Sequence, residues 1–267
     1  DRDKSFDAMF RSVEFATKLG VAPPADQATV IRAMLTQSLD FEPGDRYAYS
    51  NFGYCLLGRV IEKLSGKPYE EYVQSVVLAP LGITTMSLGK TRLEGRAKDE
   101  VRYYHASTGA SVFKEDLGER LANPYGAWNL EAMDSHGGWI ATASDLAKFA
   151  SAFDDRDECR LLNRETVERM FARPEGLAGH GDDGSPKDVY YSLGWQNRVV
   201  GEQAESRQKV NSWHTGSLPG TSAIMIRRHD GVRMVSLLNT RDSPKSSKLS
   251  ADLDQLLHRG VDASRLP

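Results

Sequence analysis

A β-hairpin is strongly predicted near the C-terminus of this 267-residue chain, and it restricts the fold to classes that contain an antiparallel sheet. Residues 223–228 and 232–238 are rich in apolar side chains. The segment His229-Asp230-Gly231 separates them, and Asp-Gly between two such segments favours a tight turn. Strands are also predicted over residues 190–200 and 209–213, so several antiparallel strands are expected side by side.

The first 170 residues show a different pattern, in which apolar residues recur as on one face of a helix. Helices are predicted over residues 25–35, 52–64 and 69–77. Two more are predicted after Thr142 and Asn163, because side chains of these types cap helix N-termini. This part of the chain is therefore predicted to be mainly helical.

The order of these elements predicts an α+β fold, in which helices flank an antiparallel sheet. Residues 246–258 add a final amphipathic helix that is expected to pack on the sheet. We divide the chain into a mainly helical lobe with long loops over residues 1–188 and a second lobe over residues 189–267. The second lobe holds the antiparallel strands and the C-terminal helix, and the two lobes are expected to form one domain.

Composition excludes several classes of partner. The chain has 34 basic and 37 acidic residues, and no long basic segment interleaves with aromatic residues, so no nucleic-acid partner is expected. No apolar segment approaches the roughly 20 residues that span a bilayer, so no transmembrane segment is predicted. The six histidines lack metal-ligand spacing, so no metal and no cofactor are predicted. Cys55 and Cys159 are predicted to be small buried hydrophobes, with one disulfide as the alternative.

Two short motifs could carry chemistry. Tyr49-Ser50-Asn51 lies directly before the helix predicted over residues 52–64, and His214-Thr215-Gly216 lies before a predicted strand. Each motif alone has a simpler interpretation, since Asn51 could cap the helix and His-Thr-Gly could be an ordinary turn at the end of a strand. Their order, their separation of 165 residues and their settings together favour a catalytic site.

The sequence resembles the serine β-lactamase and penicillin-binding-protein-like hydrolases, especially the class C β-lactamase and esterase branch. The matching segments read "FEPGDRYAYSNFGYCLLGRVIEKLSGKPYEEYV", "APLGITTMSLG", "GGWIATASDLAKFA" and "HTGSLPGTSAIMI". The resemblance covers essentially the whole chain, and its most specific part is "YSNFGYCLLGRVIEKLSG". It implies a β-lactamase/transpeptidase-like fold of two lobes that form one catalytic domain, with the active site in the cleft between them.

The resemblance also implies roles for three side chains. A serine in a Ser-x-x-Lys motif would attack a carbonyl carbon, and Tyr49 would share proton transfer with the motif lysine. Because a free tyrosine has a pKa near ~10, Tyr49 would need nearby positive charge to act as a base at neutral pH. Asn51 would hydrogen-bond the substrate amide and the lysine. His214 would replace the lysine of Lys-Thr-Gly and, being only partly charged, would hold a substrate carboxylate weakly.

The residues that follow His214 would bind the substrate by the same resemblance. Thr215 and Gly216 complete the Lys-Thr-Gly-like motif at the edge of the site. The backbone N–H of Ser217 would supply half of the oxyanion hole, and the N–H of the nucleophilic serine would supply the other half.

The Ser-x-x-Lys motif of the family is expected before Asp1, because in the class C branch it precedes Tyr-x-Asn by roughly 85 residues. Three matches within the chain begin at Ser87, Ser111 and Ser206, but all of them follow Tyr49. None opens a segment with the apolar pattern of a buried helix. We therefore expect an N-terminally truncated hydrolase whose serine and lysine lie upstream, and we expect this chain alone to be inactive.

The expected function is that of a serine hydrolase that cleaves esters or small amides through an acyl-serine intermediate. One alternative is a true β-lactamase or D-alanyl carboxypeptidase, so the substrate would be a small-molecule ester, amide or β-lactam. The other alternative is a non-catalytic binding protein of the same fold. Members of the family are often exported, but the sequence assigns neither the compartment nor the oligomeric state.

Overall fold

The computed structural model of the chain describes residues 6–201, 209–243 and 249–265. Its helices are α1 (Ser12–Lys18), α2 (Gln27–Met34), α3 (Asn51–Ser65), α4 (Tyr69–Tyr72), α5 (Ala143–Ser151), α6 (Arg164–Phe171), α7 (Gly176–Gly179) and α8 (Leu249–Ala263). Its strands are β1 (Ser87–Leu88), β2 (Thr108–Ala110), β3 (Arg120–Ala122), β4 (Trp139–Ile140), β5 (Val189–Tyr191), β6 (Gln196–Val200), β7 (Lys209–Leu218), β8 (Thr221–Arg227) and β9 (Arg233–Leu238). Helix α4 continues as a π-helix over Val73–Leu78.

Five antiparallel strands form the main sheet in the order β5-β6-β7-β8-β9. Strands β8 and β9 are joined by the predicted turn, in which Gly231 has a φ of +87° that favours glycine. Strands β7 and β8 turn at Pro219 and Gly220, and Gly220 has a φ of +95°. A Cβ atom at Gly220 would lie 2.6 Å from Pro124 Cγ, so this turn packs tightly against the loop-rich middle of the chain.

The sheet lies between two layers of helices, and the alternation of side chains along β8 shows how. Ile224 and Ile226 are buried against apolar residues of α8. Met225 points to the opposite face and packs near Phe153 and Val167, which belong to the α5–α6 region. Helices therefore cover both faces of the sheet, and the predicted α+β fold is confirmed.

A separate helical core lies among α1, α2, α3 and the loop that precedes β4. Its most deeply buried members are Met9, Ala16, Ala25, Val30, Ala33, Cys55 and Met133. Cys55 is fully buried, as predicted, whereas Cys159 is only partly buried. Both are free thiols, so the disulfide alternative is wrong.

The predicted helix starts are confirmed at two caps. The Thr142 hydroxyl accepts a hydrogen bond from the Asp145 N–H at 3.1 Å, and Asn163 Oδ1 accepts one from the Thr166 N–H at 2.8 Å. The helix predicted over residues 246–258 is confirmed from residue 249, because 246–248 lie outside the described residues. The division of the chain at residue 188 stays a prediction.

Two strand predictions are wrong in their bounds. The single strand predicted over residues 190–200 is two strands, β5 and β6, because the chain reverses at Gly194, which has a φ of +87°. Strand β7 continues five residues past the predicted end at Trp213 and contains His214-Thr215-Gly216, so this motif lies within a strand and not before one. Among the described residues, no helix is long and apolar enough to cross a bilayer.

Candidate active site

The Tyr49-Ser50-Asn51 motif lies at the N-terminus of α3. Ser50 caps the helix, since its hydroxyl accepts a hydrogen bond from the Gly53 N–H at 3.0 Å. The interpretation of Asn51 as the cap is therefore wrong, because Asn51 is the first residue of the helix. With the cap supplied by Ser50, the side chains of Tyr49 and Asn51 are free to make other contacts.

Those two side chains form a short chain of hydrogen bonds that ends on a carboxylate. The Tyr49 hydroxyl donates to Asn51 Oδ1 at 3.1 Å, and Asn51 Nδ2 donates to Asp7 Oδ2 at 2.6 Å. The other oxygen of Asp7 accepts the Met9 N–H at 3.0 Å. Asp7 therefore fixes the orientation of the Asn51 amide, and the amide in turn holds the Tyr49 hydroxyl.

His214 reaches the same place from the sheet. Trp213 faces the side of β7 that α8 covers, so His214, the next residue, faces the opposite side. There its ring centroid lies 6.3 Å from that of Tyr49. The structure thus brings together the Tyr-x-Asn motif and His214, although 165 residues separate Tyr49 from His214.

Both nitrogen atoms of the His214 ring have a hydrogen-bond partner. Nδ1 lies 2.8 Å from the carbonyl oxygen of Thr215, and Nε2 lies 2.9 Å from the hydroxyl of Tyr191. Tyr191 also stacks on Tyr47, at 5.2 Å between ring centroids, and contacts the edge of Tyr49 at 6.2 Å. Tyr47, Tyr49 and Tyr191 thus form one aromatic group. Since Tyr47 is 44% exposed and Tyr49 is 46% exposed, this aromatic group is open to a ligand from solvent.

The environment keeps the Tyr49 hydroxyl and the His214 ring uncharged near neutral pH. Burial raises the pKa of Tyr49, and the neighbouring Tyr54 and the carboxylate of Asp7 raise it further. Burial lowers the pKa of His214, and the opposing effect of its bond to the Thr215 carbonyl is smaller. None of the groups that set the pKa of Tyr49 in the described residues is positively charged, so the cation that would make Tyr49 a base is not among them.

The other predicted substrate-binding residues lie along the end of β7. Pairing of β7 with β6 stops at Trp213, whereas pairing with β8 continues to Leu218. Thr215 is half-buried, and Gly216 and Ser217 are exposed. This segment therefore extends past the start of β6, next to His214 and Tyr191.

The serines of the three Ser-x-x-Lys matches lie elsewhere or outside the described residues. Ser87 is in β1 and pairs with Ile140 of β4. Ser111 is buried, and its hydroxyl donates to Asp116 at 2.6 Å. Ser206 lies outside the described residues. Within the ranges that the structure describes, no group of three or more metal-binding side chains is found.

Sequence reasoning missed three residues of this site. Asp7 and Tyr191 contact the predicted residues directly, and Tyr47 completes the aromatic group. The spacing Tyr47-x-Tyr49 is a weak signal for Tyr47, because residues two apart in an extended segment lie on one side. For Asp7 and Tyr191 the sequence offers no local signal, since neither belongs to a motif.

Comparison with known proteins gives a family match over most of the chain. A family model described as Beta-lactamase matches residues 12–259. A penicillin-binding protein of Bacillus subtilis (strain 168) is 27% identical over 205 residues, which is 76% of this chain and 41% of the relative. A putative D-alanyl-D-alanine carboxypeptidase of Escherichia coli (strain K12) is 22% identical over 186 residues, 64% of this chain and 39% of the relative. The chain thus spans about two fifths of the length of these relatives.

Solved structures show the same fold at low sequence identity. D-amino acid amidase from Ochrobactrum anthropi SV3, in complex with L-phenylalanine amide, has a TM-score of 0.63 and 22% identity, covering 90% of this chain and 64% of that one. The octameric penicillin-binding protein homologue from Pyrococcus abyssi has a TM-score of 0.60 and 23% identity, covering 86% and 48%. Because the family model spans nearly all of the sequence and the fold agrees, the chain belongs to the Beta-lactamase family.

Proposed function

We propose that this chain carries the tyrosine, asparagine and histidine part of a serine hydrolase site that cleaves small amides or esters. The observation that carries the proposal is the convergence of Tyr49, Asn51 and His214 in one open site. The names of the relatives agree with the reaction class, since they include a putative D-alanyl-D-alanine carboxypeptidase and a D-amino acid amidase.

The reaction would run in two steps. A serine hydroxyl attacks the carbonyl carbon of the substrate, its proton passes to the base, and the leaving amine or alcohol takes a proton as it departs. Water then attacks the acyl-serine ester, which releases the acid and restores the serine. The Ser217 N–H would stabilise the negative charge on the substrate oxygen in both steps. The Asn51 amide would hold the substrate beside the serine.

Tyr49 can act as the base only when a cation lies near its hydroxyl. Its pKa is raised by burial, by Tyr54 and by Asp7, so the phenol is protonated in the environment described above. We propose that the lysine of a Ser-x-x-Lys motif supplies this cation. The phenol and the ammonium would then share one proton, and the phenolate form would accept the proton of the serine.

The serine and lysine are proposed to come from a segment that precedes these 267 residues. Two observations support this proposal. Ser111 is engaged by Asp116, and its motif partner Lys114 is exposed beside Glu115. Ser87 lies in strand β1, where it pairs with Ile140 of β4, and does not open a helix. Intact mass spectrometry after treatment with a fluorophosphonate tests the point: we expect no adduct on the chain alone. One stoichiometric serine adduct would overturn the upstream position of the nucleophile.

The catalytic role of Tyr49 is tested in a parent protein that includes the upstream segment. We expect Tyr49→Phe to lower kcat for p-nitrophenyl butyrate by about a hundredfold or more, which is the usual size of a general-base contribution. Tyr190→Phe is the matched control, because the Tyr190 hydroxyl donates to the Phe171 carbonyl at 3.2 Å, away from the site. Equal rates for the two variants would contradict the role of Tyr49.

Comparison of substrates in the same protein separates the alternatives. We expect turnover of p-nitrophenyl butyrate and of a small amide to exceed that of nitrocefin, because a neutral His214 gives little attraction to the carboxylate of a β-lactam. Nitrocefin turnover well above ester turnover would instead indicate a β-lactamase. A parent protein that binds these compounds but converts none of them would indicate the non-catalytic binding protein.

A further inference from the structure

We propose that Tyr191 is a positioning residue that holds His214 as a neutral ring with its proton on Nδ1. Neither the Tyr-x-Asn motif nor the His-Thr-Gly motif contains Tyr191, which lies 23 positions before His214 on strand β5. The assignment of the proton depends only on the contacts of the ring within this chain. Its consequence for the substrate rests on the proposed function.

The two hydrogen-bond partners of the His214 ring, Thr215 and Tyr191, are compatible with only one position of the ring proton. A backbone carbonyl oxygen only accepts hydrogen bonds, so the contact of 2.8 Å to Thr215 requires a proton on Nδ1. In the neutral ring Nε2 is then an acceptor, and the Tyr191 hydroxyl at 2.9 Å is its donor. Burial, and next a hydrogen bond with Tyr54, raise the pKa of Tyr191, so its hydroxyl stays protonated. Its one proton goes to His214 Nε2, and the Tyr54 hydroxyl is then the donor in the bond between the two tyrosines.

Tyr191 is itself held from several directions. Its backbone pairs with Gln196 of β6, which fixes where the ring leaves the sheet. Tyr47 stacks on its ring at 5.2 Å with an interplanar angle of 29°. The ring meets the edge of His214 at 5.8 Å and 77°. A side chain held in this way can fix the orientation of the imidazole and not only fill space beside it.

This arrangement determines which substrates His214 can assist. With Nε2 occupied by Tyr191 and the ring neutral, His214 offers no free N–H and no positive charge to a substrate carboxylate. The site would therefore accept uncharged groups beside the scissile bond and reject carboxylates. Removal of the Tyr191 hydroxyl would free Nε2 to carry a proton toward the ligand.

Nuclear magnetic resonance of the chain as it stands tests the proton position directly. With ¹⁵N-labelled histidine, long-range ¹H–¹⁵N spectra distinguish the two neutral tautomers, and we expect the Nδ1–H form of His214 to dominate near neutral pH. Tyr191→Phe removes one neutral hydrogen bond and should lower the ratio of Nδ1–H to Nε2–H by about fivefold. Tyr190→Phe, the neighbouring control, should leave the ratio unchanged.

Two results would overturn the assignment. One is a dominant Nε2–H tautomer in the unsubstituted chain, a measurement that does not depend on whether any variant folds. The other is an unchanged ratio in folded Tyr191→Phe. Neither measurement uses catalysis, so failure here leaves the proposed hydrolase function standing.

Kinetics of the parent protein test the consequence for substrates. We expect kcat/KM for p-nitrophenyl butyrate to exceed that for p-nitrophenyl hydrogen succinate, and we expect Tyr191→Phe to reduce this ratio by at least about fivefold. An unchanged ratio would overturn the role of Tyr191 in specificity. A parent that hydrolyses neither these esters nor a small amide would contradict the proposed function, while the tautomer measurement would still decide the assignment of His214.

Discussion

Asp7 acts on both members of the Tyr49–Asn51 pair. Its carboxylate accepts the Asn51 amide at 2.6 Å, and its charge is one of the causes that raise the pKa of Tyr49. Asp7→Asn removes that charge but keeps a side-chain oxygen for the Met9 N–H. We therefore expect the pKa of Tyr49 to fall toward its ordinary value, as followed by ¹³C NMR of labelled tyrosine.

The control for this substitution is Glu14→Gln. Glu14 is 56% exposed and pairs with Arg11 on the surface, so it tests whether the loss of any carboxylate near the N-terminus gives the same result. We expect no change in the Tyr49 titration for this variant. If Asp7→Asn left the titration unchanged as well, Asp7 would only bind the Met9 N–H and the Asn51 amide and would not influence the pKa of Tyr49.

Single residues also show how far the sequence predicts the site. Tyr49, Asn51 and His214 can be found because each belongs to a short motif in a recognisable setting. Asp7 and Tyr191 cannot be found in this way, because they act on partners 44 and 23 positions away through side-chain geometry alone. The protonation states of Tyr49 and His214 likewise depend on how deeply the two side chains are buried, and no local sequence pattern predicts that burial.

Among the elements, α3 carries the Tyr-x-Asn motif at its N-terminus and makes a close contact at Gly58. Gly58 faces Ser135, whose hydroxyl donates to the Tyr54 carbonyl at 2.9 Å. A Cβ atom at position 58 would lie 2.4 Å from Ser135 Oγ and 2.6 Å from Ser135 Cβ, so the helix or the loop must move. We expect Gly58→Ala to lower the free energy of unfolding by about 1–3 kcal/mol, measured by urea denaturation.

Gly53→Ala on the same helix is the matched control. Its added Cβ would lie 3.6 Å from Ser50, which is ordinary van der Waals contact. Because alanine is the better helix former, we expect this variant to be as stable as the unsubstituted chain or up to about 1 kcal/mol more stable. Similar losses in both variants would show that glycine flexibility, and not the contact with Ser135, is what the helix requires.

The elements differ in how well their bounds follow from the sequence. The N-terminus of α5 is predicted closely because a local signal, the cap at Thr142, determines it. Strands β5 and β6 are not separated by the pattern, because Ser192 to Trp195 reverse direction around Gly194 without a typical hairpin pair. The length of β7 depends on pairing with β8 as far as Leu218, a tertiary contact that composition does not specify.

At the scale of the whole molecule, three histidines with lowered pKa values lie in three different parts of the fold. His136 is in the loop beside α3, His214 is on β7, and His258 is on α8 against the sheet. Burial is the largest cause for each. Both ring nitrogens of His136 are buried, and neither has a partner among the described residues. Protonation of these rings would therefore oppose packing both in the helical part of the fold and at the sheet.

These shifts predict that the fold loses stability in mild acid. A histidine whose folded pKa lies below its unfolded value of about 6.5 stays neutral in the folded state while the unfolded chain takes up a proton. Stability is therefore complete above about pH 6.5 and decreases as the pH falls toward the folded pKa, by up to about 1.4 kcal/mol per pH unit for each such group. Urea denaturation at a series of pH values measures this slope.

His136→Phe identifies the contribution of the buried ring that has no partner. The phenyl ring cannot take up a proton, so we expect the loss of stability below about pH 6.5 to be less steep, whatever its effect on stability at neutral pH. Met133→Leu is the control, because Met133 lies in the same part of the core, where its carbonyl accepts the His136 N–H, and its replacement removes no titratable group and should preserve the slope. Equal slopes in the unsubstituted chain and both variants would show that His136 already carries its proton in the folded state, in contradiction to the effect of its burial.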